Sequence, residues 1–165
     1  MFFRRRPPRP ATVQDQLLDV LREHLPDTPE DDVEILGAVA GLVACVAYAD
    51  GVYHPAEVRE VKRLLGRIHD LPRDAVDAVC ALLDLKVAEL ARRDVHDHAR
   101  ILKQGTERGA RVEVLEVLVD LAAADGQITV DETELLRRVT NMLGLSASDY
   151  VAAQSRHRDK LSVLD

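Results

Sequence analysis

Ala122–Ala123–Ala124–Asp125–Gly126–Gln127–Ile128–Thr129–Val130–Asp131–Glu132, running on into Leu135–Leu136–Arg137–Arg138–Val139, is a phrase this chain uses twice. The earlier copy, Ala47–Tyr48–Ala49–Asp50–Gly51–Val52–Tyr53–His54–Pro55–Ala56–Glu57, lies 75 positions upstream (125 − 50), and Arg63 and Leu64 sit at the same offset from Arg138 and Val139. Each copy leads from an apolar helical run through Ala-Asp-Gly into an amphipathic one. The pattern predicts two related helix–turn–helix units and an internal duplication.

Outward from the turns, Val33 to Ala49 is apolar almost all the way round, as expected of the buried centre of a bundle. Gly37 and Gly41, among Ala38, Ala40 and Ala44, favour close intramolecular helix packing, the run being too short to span a membrane. Arg111 to Ala124 is its counterpart, with Glu113, Glu116 and Asp120 on one polar edge. Pro55 to Ile68 buries Val58, Val61, Leu64, Leu65 and Ile68 at helical spacing, and Asp131 to Leu143 follows the second turn in the same way. Further helices are predicted over Thr12–Leu25, Asp74–Leu90, Arg100–Glu107 and from Ser146–Ala147–Ser148–Asp149 onward.

No run alternates with period two and no Asn-Gly hairpin occurs. The expected fold is therefore all-α: a compact helical bundle of about seven to eight helices built on two pseudo-symmetric helix–turn–helix repeats. The organisation expected is a flexible basic Pro/Arg tail over 1–11, a single helical domain over 12–158 with repeat cores 33–68 and 111–143, and a C-terminal tail over 159–165.

A chain of 165 residues, 47% hydrophobic and 31% charged, can build a core without disulfides or metals. Its net charge of −7 argues against nucleic acid as a partner, because phosphate binding needs a basic face. Cys45 and Cys80 are isolated within apolar helical runs, which reads as two buried thiols in a reducing compartment. No apolar stretch reaches the ~20 residues of a membrane helix. The opening MFFRRRPPRP places prolines where an export signal needs an apolar core, so a cytoplasmic location is expected. Asp94–Val95–His96–Asp97–His98, rich in histidine, reads as a solvated helix start, since positions two apart on a helix do not face each other.

The acidic turns admit two readings. Thr129 with Glu132 forms a capping box; Pro55 at the first helical position puts Glu57 in the matching place; Gly51 and Gly126 suit left-handed helix ends. Asp50 and Asp125 fit less well. Each closes the negative pole of an apolar helix, where a carboxylate is disfavoured by ~0.3–1 kcal/mol. A bound cation, Arg63 or Arg138, or the N–H groups of the following turn would compensate, the last as an Asx-type bond. The phrase also matches the second half of an EF-hand loop. The first half is missing, for Val46 and Tyr48, and Leu121 and Ala123, stand where ligands belong, so a true EF-hand pair is rejected. What remains is a site gathered from both turns: Asp50, Glu57, Asp125, Glu132 and Asp120 as oxygen ligands for one Ca²⁺, Mg²⁺ or Mn²⁺ ion.

At AYADGVYHPAEVREVKRLL and LAAADGQITVDETELLRRVTNMLGLSASDYVAAQ the chain resembles the TerB-like superfamily (tellurite-resistance TerB and the N-terminal domain of DjlA-type membrane co-chaperones), over roughly Val33 to Gln154. The resemblance implies a bacterial, cytoplasmic helical module linked to metal or tellurite stress. It also implies an acidic metal site carried by Asp50, Glu57, Asp125 and Glu132. These residues carry no J-domain or membrane-anchor pattern, so co-chaperone activity is not expected to transfer. His54–Pro55 makes the first turn less acidic than Thr129–Val130–Asp131 and implies an asymmetric site.

No phosphate loop, HExxH, dinucleotide fingerprint or nucleophile–base pair is present, so a non-enzymatic protein is expected. The other reading is a structural, co-chaperone-type interaction domain whose acidic residues serve only as helix caps. The expected partners are a divalent metal or an unidentified protein, with the chain a monomer or weak homodimer.

Overall fold

The computed structural model of the chain describes residues 9–68, 71–92 and 95–160. Residues 1–8 of the basic tail, the break at His69–Asp70 and the last five residues lie outside them. The described residues hold eight α-helices: α1 (Val13–His24), α2 (Glu30–Ala47), α3 (Pro55–Leu65), α4 (Arg73–Ala91), α5 (Val95–Gly105), α6 (Arg108–Ala122), α7 (Val130–Met142) and α8 (Ala147–Gln154). A short 3₁₀ segment, Ser155–Lys160, follows. There is no β-strand among them, as the absence of period-two patterning predicted.

Helix α2 is the axis on which the others are laid. It packs against α1, α4, α5 and α6, and its residues from Gly37 to Ala47 are all buried. A run without a polar face is stable only when wrapped on all sides, which is the role its composition predicted. Its glycines mark the closest approaches. A Cβ on Gly37 would stand 2.6 Å from Cδ2 of Leu18 on α1; one on Gly41 would stand 2.3–2.6 Å from the ring atoms of His98 on α5. Leu17, Leu42, Leu83, Leu102, Leu118 and Leu136 come from six different helices into one apolar core. Each such fully buried side chain contributes about 1.5–3 kcal/mol.

The two turns join α2 to α3 and α6 to α7. The second helix of each unit also meets the first helix of the other: α3 packs against α6, and α7 against α2. That exchange brings the two acidic turns toward one another.

Two expectations need correction. The His-rich spot does open a helix, α5, but it is not solvated throughout: His98 is 1% exposed and packs into α2, while His96 is exposed and Asp94 lies outside the described residues. The spacing already allowed this, because residues two apart point to different sides of a helix, but a histidine between charged neighbours gives no apolar signal. Cys80 is half-buried rather than fully enclosed, whereas Cys45 is buried as expected. Among the described residues no helix is long and apolar enough to cross a membrane.

Candidate functional site: two acidic turns and a buried carboxyl pair

Each turn begins with a glycine in left-handed conformation, Gly51 at φ +82° and Gly126 at φ +96°, where a side chain would be strained. The aspartate before each glycine folds back on its own turn. Asp50 Oδ1 accepts a hydrogen bond from Val52 N at 2.9 Å, and Asp125 Oδ1 accepts one from Gln127 N at 3.0 Å. Of the three compensations weighed for a carboxylate at a helix C-terminus, the turn's own amides are therefore in place at both positions. Neither arginine takes that part: Arg63 is bonded to Glu60 on its own helix, and Arg138 makes no ion pair with a described residue. At the first turn His54 adds to the amide, its Nε2 lying 3.0 Å from Asp50 Oδ2. That hydrogen bond, more than the nearby charges of Glu57 and Asp125, raises the pKa of His54.

The glutamates cap the helices that follow. Thr129 Oγ1 accepts from Glu132 N at 3.2 Å, and Glu132 Oε2 accepts from Thr129 N at 2.7 Å, the reciprocal pair of a capping box. In the first turn Pro55 opens α3, and Glu57 Oε2 accepts from His54 N at 3.0 Å. An ordinary capping glutamate sits at the surface, but these do not. Glu57 is 1% exposed and Glu132 is 2% exposed.

They are buried together. Their carboxyls are close enough for each to shift the other's titration, so the two caps meet where the two turns meet. Burial pushes Glu57 up to about 8, and the charge of Glu132 adds to the rise. Glu132 is also raised, first by burial and then by the charge of Asp125, while bonds from Thr129 and Glu57 hold it back. One proton between two enclosed carboxyls is the expected outcome, with Glu57 donating to Glu132.

Of the five residues predicted as ligands, the fold thus joins Glu57 and Glu132 directly. It sets Asp50 and Asp125 on the turns beside them, close enough for Asp125 to act on Glu132 and His54. Asp120 is engaged elsewhere: its Oδ1 is held by Arg156 Nη2 at 3.0 Å and His157 Nε2 at 2.8 Å from the 3₁₀ segment. Sequence reasoning overlooked His54 as a partner of Asp50, although the i,i+4 spacing of an acid and an imidazole was a signal.

The donor set fits a divalent cation in kind, being carboxyl oxygens enclosed together with a shared proton that an ion would displace. It is not assembled around an ion, since no three His, Cys, Asp or Glu side chains among the described residues are grouped as a metal site.

Comparison with known proteins finds no match among curated proteins and none among solved structures. The family model described as "Tellurite resistance protein TerB" matches residues 36–155, a span that takes in both turns, the carboxyl pair and every helix from α3 to α8. With most of its length and all of this site inside that match, the chain belongs to the TerB family.

Proposed function

We propose that this TerB-family protein is a non-enzymatic module of a metal or tellurite stress response that takes up one divalent cation, Ca²⁺, Mg²⁺ or Mn²⁺, between its acidic turns. The observation that carries this reading is the meeting of Glu57 and Glu132 in the interior. Two carboxyls that must share a proton when alone gain a stronger partner in a doubly charged ion, and hard oxygen donors suit these ions. Glu57 and Glu132 would hold the ion, with Asp50 and Asp125 as outer oxygens. The ion supplies positive charge and nothing further is asked of it. His54 on Asp50 makes the first turn the weaker contributor.

A second reading draws on a different observation. With Asp50 and Asp125 bonded to Val52 N and Gln127 N, both helix ends are satisfied without an ion. The chain is then an interaction domain in which the acidic residues serve as caps.

Calorimetric titration with Ca²⁺, Mn²⁺ and Zn²⁺ separates the two. The cation reading expects heat uptake and a gain of stability of about 2.7 kcal/mol at a hundredfold excess over Kd. It expects that gain to vanish in the Glu57→Gln, Glu132→Gln double variant and to weaken in Asp50→Asn with Asp125→Asn. A wild-type protein that neither evolves heat nor melts higher with any of the three ions leaves the capping reading alone.

A further inference from the structure

Away from the carboxyl pair, the C-terminal ends of α2 and α4, the start of α5 and one face of α7 line an open pocket of about 410 Å³. Its lining is mixed: Cys45, Ala88, Ala91, Val95 and Leu135 supply apolar surface, and Tyr48 lies among them. Its mouth carries Arg92, Arg138, Asp131 and Glu134, all exposed. None of these four makes an ion pair with a described residue. Glu134 and Arg138 stand four apart on α7, the spacing that favours such a pair.

We propose that this cavity binds a small zwitterion: an apolar body of amino-acid or dipeptide size that carries one carboxylate and one ammonium. The volume lies within the ~300–1,000 Å³ of ligand sites. Charge selects the class. A simple anion would meet Asp131 and Glu134, and a simple cation would meet the two arginines. Only a ligand with both signs is complementary to all four. Charges of both signs stand side by side there, Glu134 and Arg138 one helical turn apart on α7, which suits a ligand whose ammonium and carboxylate are close together. The apolar body would lie against Cys45, Ala91 and Leu135.

The corresponding place in the second unit shows how such a spot is otherwise filled. At the same offset of 75 from Cys45 (120 − 45) stands Asp120, which the chain's own Arg156 and His157 occupy. Arg63, the offset mate of Arg138, lies within reach of the charge of Asp120. In the first unit Cys45 stands at the matching position, and the open pocket lies beside it.

The test is an amide ¹H–¹⁵N titration of the full chain in chelator, so that it is independent of any bound cation, with leucine and the dipeptide Ala-Leu as probes. Saturable shifts are expected at Cys45, Ala91 and Leu135 with Kd at or below ~1 mM for at least one probe. Leucinamide and N-acetylleucine, each lacking one pole, should bind at least tenfold more weakly. Arg138→Gln should weaken the zwitterion by a similar factor, while Arg137→Gln, which changes an arginine that does not line the cavity, should not. Saturation by leucine alone supports a single amino acid as the class, and saturation by Ala-Leu alone supports the dipeptide. No saturable shift up to ~10 mM of either probe, equal binding of the one-pole analogues, or indifference to Arg138→Gln overturns the proposal.

Discussion

A glutamate that caps a helix at the surface keeps its charge, because water screens it and the first-turn amides welcome it. Glu57 and Glu132 perform the same local task inside the protein, where that charge is costly. The local bond from His54 N to Glu57 favours the ionised form; enclosure and the facing carboxyl oppose it and prevail, since Glu57 is raised. Replacing Glu57 by Gln keeps an acceptor for His54 N and a donor toward Glu132, and removes the group that must titrate. We therefore expect Glu57→Gln to be at least as stable as the parent near pH 8 in chelator, by on the order of 1–3 kcal/mol, with less advantage below the ordinary carboxylate range. Urea unfolding at the two pH values measures this, and a Glu57→Gln protein that is less stable than the parent at both contradicts the shared-proton description.

Glycine does two different things along α2, and the difference is measurable. At Gly37 the obstacle to a methyl group is the tip of Leu18, a flexible end that can swing aside. At Gly41 it is three atoms of the His98 ring, packed into the core with only 1% exposure. Alanine gains about 1 kcal/mol of helix propensity over glycine at either site. Gly37→Ala should thus change stability by less than about 1 kcal/mol, while overpacking at Gly41→Ala should leave a net loss of about 1–2 kcal/mol. Thermal melts of the two variants side by side decide it: equal effects would mean that His98 is not the wall of that contact. The same helix shows what a sequence makes legible. The apolar run and its glycines declared a buried axis with close neighbours. Which neighbours was not written there, because His98 sits among polar residues and its burial comes from the helix that α5 meets. The site divides in the same way. Gly51, Gly126, Thr129 and Glu132 follow from turn and cap chemistry, which is local. The contact of Glu57 with Glu132, and the capture of Asp120 by Arg156 and His157, join residues 75 and 36 or 37 positions apart (132 − 57, 156 − 120, 157 − 120) and need the packed bundle to exist.

The whole molecule sums these titrations into one curve. Glu30, Asp74, Asp77 and Asp149 are lowered by hydrogen bonds from Arg22, His24, Lys62 and Ser146 respectively, so the stability they add is present above their unfolded pKa values and is lost as pH falls through the folded ones. Glu30, Asp74 and Asp77 are exposed and Asp149 is partly so, and their share is screened by solvent. Glu57 and Glu132 run the other way. Raised in the fold by burial, they add stability that is complete below the unfolded value of 4.5 and is lost as pH climbs through the folded value, about 8 for Glu57. His54, raised by its bond to Asp50, follows the same sign. In chelator the melting temperature should therefore peak on the mildly acidic side, above the carboxylate range, and decline steadily toward about pH 9. A cation bound by the pair takes the place of the shared proton, so saturating Mn²⁺ or Ca²⁺ should hold the melting temperature up across that basic limb. The Glu57→Gln, Glu132→Gln protein should keep only the shallower decline due to His54, and the ion should not change it. A parent melting curve that is already level from about pH 6 to pH 9 in chelator would mean that Glu57 does not face Glu132 in the interior, because losing the shared proton leaves two charges enclosed together.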